Sequence, residues 1–152
     1  MDVAVTEGPP PPRGEPHYRA EFAGGALKNQ VISEAIASLA AVEPLGAQES
    51  FRLRLCLDEA IQNAISHGND SDPLKLVRLL VFRVPEGWEI RIADEGRGFD
   101  PGRVPDPRTP EGLEKESGRG ILILKEYTHG VRYYDGGRTL VLSLLSRQRV
   151  ER

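Results

Sequence analysis

The sequence predicts an α+β fold: a two-layer sandwich in which a mixed, mostly antiparallel sheet carries helices on one face. Three observations lead there. Apolar residues recur at helical spacing in two consecutive stretches, Leu27 to Val42 and Gln48 to His67. Two pairs of strand-like runs close on tight turns, Lys75 to Val84 with Trp88 to Ala93, and Val131 to Tyr134 with Arg138 to Leu145. The resulting order, β-α-α-β-β-α-β-β, has too few helices to serve as crossovers between every strand pair, which argues against an all-parallel sheet.

The elements follow in chain order. Met1 to Pro16 reads as a flexible tail, because Gly8, the Pro9-Pro10-Pro11-Pro12 run and Pro16 support neither a helix nor a central strand. A proline-rich ligand for a partner is the other reading. His17 to Phe22 alternates Tyr18, Ala20 and Phe22 and predicts a first strand. The first helix places Leu27, Val31, Ile32, Ala35, Ile36 and Leu39 on one face, and Pro44 and Gly46 end it. In the second, Leu53, Leu57, Ala60, Ile61 and Ala64 form the apolar stripe, with Glu59, Asn63 and His67 ridged along its edge at i, i+4 and i+8. Gly68 supplies the stop. Pro85-Glu86-Gly87 joins the first hairpin. Glu95 to Ser117, with Pro101, Pro105, Pro107 and Pro110, is irregular, and so long a stretch reads as a functional lid or as disorder. Gly120 to Tyr127 predicts a short helix, and Asp135-Gly136-Gly137 turns the last hairpin. One domain spans 17–147, between tails at 1–16 and 148–152.

Bulk composition narrows the function classes. The chain has 152 residues, 39% hydrophobic and 28% charged, which fits one soluble globular domain. A net charge of −3 gives no electrostatic case for direct nucleic-acid binding or for an anionic membrane. No apolar run approaches the ~20 residues of a membrane span, and no signal peptide is evident. Cys56 is the single cysteine, so no internal disulfide forms, and the expected location is the cytoplasm.

The chemistry concentrates in three places. Glu59 and Asn63 fit the polar edge of an amphipathic helix. They also fit a site, since Asn disfavours a helix interior unless its side chain has a specific partner. In that second reading Asn63 offers its carbonyl oxygen to Mg²⁺, and Glu59 orients or deprotonates a hydroxyl or water. His67 either satisfies the helix end or reaches a phosphate. In Asp94-Glu95-Gly96-Arg97-Gly98-Phe99-Asp100, Gly96 and Gly98 permit close backbone approach, and Asp94 at a strand end can accept hydrogen bonds from an exocyclic amine such as that of adenine. Gly118-Arg119-Gly120-Ile121 precedes an apolar helical run. It reads as a cap and tight turn, or as backbone N–H groups and a guanidinium presented to phosphate. A P-loop and a Gly-x-Gly-x-x-Gly fingerprint are both absent, and the three histidines lack zinc spacing.

These boxes in this order resemble the GHKL (Bergerat-fold) ATPases, and among them the anti-sigma factor serine/threonine kinases. Glu59 to His67 is similar to the N box, Asp94 to Asp100 to the first glycine box, and Gly118 to Ile121 to the second. Gly136-Gly137-Arg138-Thr139-Leu140 is similar to the closing hairpin. The resemblance implies ATP and Mg²⁺ as cofactors. It implies Glu59 as general base, Asn63 on the metal, Asp94 on the adenine amine with Gly96 and Gly98 shaping its pocket, and Thr139 on the adenine side. Gly118, Arg119, Gly120 and Ile121 would lie against the phosphates, under a lid from the irregular stretch. It further implies phosphorylation of a small anti-anti-sigma protein and sequestration of a sigma factor by a homodimer. Histidine kinases share the same boxes but carry a phosphoacceptor helical domain for which this chain has no room. The alternative readings are a nucleotide-dependent partner-binding regulator without kinase activity and a stand-alone histidine-kinase-like ATPase module.

Overall fold

A computed structural model describes residues 3–98 and 116–146, with the backbone alone at 116–119 and 121. Among the described residues, six strands form one sheet. They are β1 (Ala4–Val5), β2 (Tyr18–Ala23), β3 (Leu76–Val84), β4 (Gly87–Ala93), β5 (Gly130–Tyr134) and β6 (Thr139–Leu145), in the spatial order β1-β5-β6-β4-β3-β2. The helices are α1 (Lys28–Ala40), α2 (Ala47–Asn63) and α3 (Glu116–Tyr127). Every neighbouring pair is antiparallel except β1 with β5, so the predicted mixed, mostly antiparallel sheet is the one observed.

The helices cover one face. Val31, Ile32, Ala35, Ile36 and Leu39 of α1 and Leu53, Cys56, Leu57, Ala60 and Ile61 of α2 are buried, as their spacing predicts. They meet Val77, Leu79 and Val81 of β3, Ile90 and Ile92 of β4, and Leu140 and Leu142 of β6 in one core. Leu27 is the exception to the predicted stripe: it sits just before α1 and is 48% exposed. The two helices run antiparallel, tied near the end of α2 by the Lys28 ammonium, which reaches Asp58 at 2.9 Å and Gln62 at 3.1 Å. Among the described residues, no helix is long and apolar enough to cross a membrane.

The opposite sheet face corrects the reading of residues 1–16 as a flexible tail. Ala4–Val5 pairs in parallel with β5, and Val3 is buried. Farther along, the proline run crosses the outer face of β4, where Glu89 and Arg91 are buried. Arg13 donates to Glu89 at 3.0 and 3.3 Å, and Arg91 donates to Glu89 at 2.8 Å and to the Pro11 carbonyl. The Arg91 guanidinium also lies 4.9 Å from the centre of the Phe82 ring. Burial alone would push the Glu89 carboxyl up, but the hydrogen bonds from Arg13 and Arg91 outweigh it and hold the group below its ordinary range. Proline cannot donate to a sheet, yet its carbonyl still accepts. The partners lie 76 to 80 positions away, where local pattern carries no signal.

Two boundaries differ in ways that bear on function. The second predicted helix is α-helical only to Asn63 and continues as a π-helical turn, Ala64–Gly68. The helix predicted from Gly120 starts at Glu116. Of the irregular stretch, Phe99 to Lys115, which holds most of the expected lid, lies outside the described residues.

Candidate nucleotide site

The π turn at the end of α2 builds one half of the site. It is closed by the Asn69 N–H to the Ala64 carbonyl at 2.8 Å, and the Ser71 N–H reaches the Ile65 carbonyl at 2.8 Å. Such widened turns are rare and cluster at functional positions. This one brings Gly68 onto the end of β4. A Cβ on Gly96 would overlap the Gly68 carbonyl, and a Cβ on Gly68 would overlap the Asp94 carboxylate. Two backbone segments, the π turn and the turn after β4, therefore meet at a spacing that only glycine permits.

Asp94 sits at that junction. Its carboxylate accepts the Gly96 N–H at 2.8 Å, and its own N–H donates to the Arg138 carbonyl at 3.0 Å. Burial pushes its pKa up, opposed by the Gly96 N–H and by the charges of Arg138 and Lys75. A carboxylate has about four lone-pair sites, so one internal hydrogen bond leaves capacity for a ligand's amine.

The other half lies across α2 and α3. Glu59 and Asn63, one turn apart and both half-buried, face Gly120. A Cβ there would stand 2.7 Å from Asn63 Nδ2 and 3.2 Å from Glu59 Oε2. The second glycine segment thus packs against the carboxylate and carboxamide at Gly120. It does so from within α3 rather than from a loop ahead of it. Gly118, Arg119 and Ile121 share that helical backbone.

Residues 26–144 match the histidine kinase-like ATPase domain. The chain belongs to that family. It is also similar to a serine/threonine-protein kinase, BtrW, of Bordetella bronchiseptica (strain ATCC BAA-588 / NCTC 13252 / RB50), at 28% identity over 101 residues, covering 64% of this chain and 71% of the relative. Family membership makes this an ATPase-type domain, and the junction of Gly68, Asp94 and Gly96 and the Glu59–Asn63–Gly120 cluster both lie within the matched residues. Among the described residues no three His, Cys, Asp or Glu side chains cluster so as to hold a metal ion by themselves. A cavity of about 350 Å³ lined by Leu39, Leu53, Trp88 and Leu144 lies at the opposite end of the helical layer, away from these residues.

Within this ATPase domain two predicted residues stand apart. His67 is exposed on the π turn. Thr139 pairs with Ala93, next to Asp94, but it alternates with the core residues Leu140 and Leu142 and so shares the outer face with Val141. Its hydroxyl donates to Asp135 at 2.7 Å. Arg138, one residue earlier, is the one beside Asp94 and Gly98. Gly98 itself backs onto the Gly136 carbonyl, where a Cβ would not fit.

Sequence reasoning missed Asn69. It is 1% exposed; its Nδ2 donates to the Leu76 carbonyl at 3.0 Å and its Oδ1 accepts the Glu95 N–H at 2.8 Å. One side chain thereby ties the π turn to the start of β3 and the glycine turn after β4. The available signal was an Asn directly after the helix-ending Gly68. Asn69→Ala is expected to lower stability by about 2 kcal/mol, because two buried backbone groups lose their partner at once. Urea denaturation measures this, and Asn69→Asp, which keeps the acceptor, is expected to lose less.

Proposed function

We propose that this protein is an ATP- and Mg²⁺-dependent serine/threonine protein kinase. It phosphorylates a small anti-anti-sigma protein and, as a cytoplasmic homodimer, sequesters a sigma factor. The observation that carries the reading is the Glu59–Asn63 pair set against Gly120, with the half-buried Asp94 carboxylate beyond the π turn. The similarity to a protein named as a serine/threonine-protein kinase supports the same chemistry.

The residues divide the work. Asp94 accepts the amine of the base, and the close approach of Gly96 and Gly68 fixes the orientation of that carboxylate. Asn63 would hold Mg²⁺ through its carboxamide oxygen, and the ion would supply charge neutralisation at the transferring group. Glu59 accepts the proton of the substrate hydroxyl, while the backbone of the Gly118–Gly120 segment and Arg119 flank the phosphates. Positioning and charge neutralisation are most of what phosphoryl transfer requires.

Calorimetry of ATP binding with and without Mg²⁺, on wild type and Asn63→Ala, tests this reading. Binding is expected to need Mg²⁺ and to weaken by about tenfold in Asn63→Ala, the equivalent of one charge-assisted contact. Wild type that binds no ATP at millimolar concentration overturns the reading.

A further inference from the structure

The N-terminal segment is bonded to the turn between β5 and β6, and that turn leads back to the nucleotide residues. The Thr6 N–H donates to the Tyr133 carbonyl at 2.9 Å. In return the Thr6 carbonyl accepts the Gly136 N–H at 3.1 Å, and the Gly8 carbonyl accepts the Asp135 N–H at 2.8 Å. The turn is strained: Asp135, Gly136 and Gly137 have consecutive φ values of 53°, 65° and 100°. Backbone of this kind, with a non-glycine residue in the left-handed region, persists only where its surroundings hold it. Here the holding groups are two carbonyls of the N-terminal segment and the Thr139 hydroxyl on the Asp135 carboxylate.

The far side of the same turn faces the site. The Gly136 carbonyl packs against Gly98, and the Arg138 carbonyl accepts the Asp94 N–H at 3.0 Å. The chain of contacts is therefore continuous: Thr6 and Gly8, then Asp135 and Gly136, then Gly98, Arg138 and Asp94. The N-terminal segment is also clamped at its other end, where Arg13 and Pro11 meet Glu89 and Arg91 on the outer face of β4.

We propose that residues 3–13 form a strap that positions the Asp135–Gly137 turn, and through it the Asp94–Gly98 wall of the nucleotide site, so that strap docking and nucleotide binding strengthen each other. This rests on the nucleotide reading given above. The strap touches no part of the ligand; it acts through the turn. Because coupling between two binding events is reciprocal, nucleotide must tighten the strap by the factor by which the strap tightens nucleotide. Release of the strap would uncover the β5 edge and the Glu89–Arg91 face together, and nucleotide would oppose that release.

The test uses the full chain with Mg²⁺ and a non-hydrolysable ATP analogue. Thr6→Pro removes the N–H that holds β1 on β5. It is expected to weaken analogue affinity by about tenfold while the thermal transition stays cooperative. Arg13→Ala frees the other end and is expected to weaken affinity less, with Arg13→Lys restoring part of it. In wild type, saturating analogue is expected to slow hydrogen exchange at the Thr6, Asp135 and Gly136 amides by a similar factor. Should Thr6→Pro fail to fold, Arg13→Ala and the exchange measurement decide. Wild type that binds analogue with no added protection at these amides, and variants of unchanged affinity, overturn the strap but leave the nucleotide site standing. Wild type that binds no analogue overturns both.

Discussion

Glu59→Gln is expected to lose phosphoryl transfer by about 10²–10⁴-fold while binding ATP as wild type does, the range usual for removing a positioned general base. The substitution preserves shape and hydrogen-bonding reach but removes the ability to take a proton. Glu59 lies one helical turn before Asn63, and both face Gly120. The carboxylate is therefore placed where the substrate hydroxyl must come if Asn63 marks the metal, yet apart from Asp94, the residue proposed for the base. Chemistry and nucleotide affinity should separate in this variant. Transfer of label from γ-labelled ATP to the anti-anti-sigma proteins of the same genome measures the first, and calorimetry the second. Transfer at the wild-type rate removes Glu59 from the role of base. Loss of both together instead makes it a structural member of the α2–α3 packing.

The sheet and its helices were legible because their signals are local. The stripe on α1, the alternation of Val77, Leu79 and Val81, and the turn at Pro85-Glu86 each fall within one element. The site motifs were legible as three boxes, and the fold brings Glu59, Asn63 and Gly120 to one place and Gly68, Asp94 and Gly96 to another. What stayed hidden depends on contacts distant in sequence. The π turn requires no residue that an α-helix would refuse, and it is set by where Gly68 must meet Gly96. Asn69 gains its meaning only when Leu76 and Glu95 are beside it. Thr139, placed on the adenine side by the resemblance alone, shares the outer face with Val141, because it alternates with the core residues Leu140 and Leu142. The proline run looked unstructured because proline forms no ladder, whereas the buried Arg91 needs a carbonyl acceptor and Pro11 supplies it.

Gly96→Ala is expected to weaken ATP binding by about 10- to 100-fold, since disturbing a hydrogen bond to a carboxylate costs about 1.5–3 kcal/mol. The added methyl would meet the Gly68 carbonyl, which is backbone on both sides of the contact. Neither partner can yield cheaply. Asp94 is fixed from below by β4, whose last residue Ala93 is in register with Arg78 on one side and Thr139 on the other. Gly68 is fixed by the π turn and by the two hydrogen bonds of Asn69. Relief must come from tilting the Asp94–Gly96 turn, which breaks the 2.8 Å hydrogen bond that orients the carboxylate. Overpacking at a fixed junction also costs about 1–3 kcal/mol of stability, so urea denaturation should accompany the binding measurement. Gly120→Ala makes the useful contrast. Its methyl would meet the ends of the Asn63 and Glu59 side chains, which can rotate away. That variant should therefore fold and hold the base of the nucleotide while transferring poorly, because the displaced groups are those assigned to metal and proton. If Gly96→Ala binds ATP as wild type does, the junction of the π turn with the end of β4 is not the base pocket, whatever the motif order implies. If it fails to bind while Gly120→Ala binds and does not transfer, the two halves of the site have the separate duties that their geometry assigns.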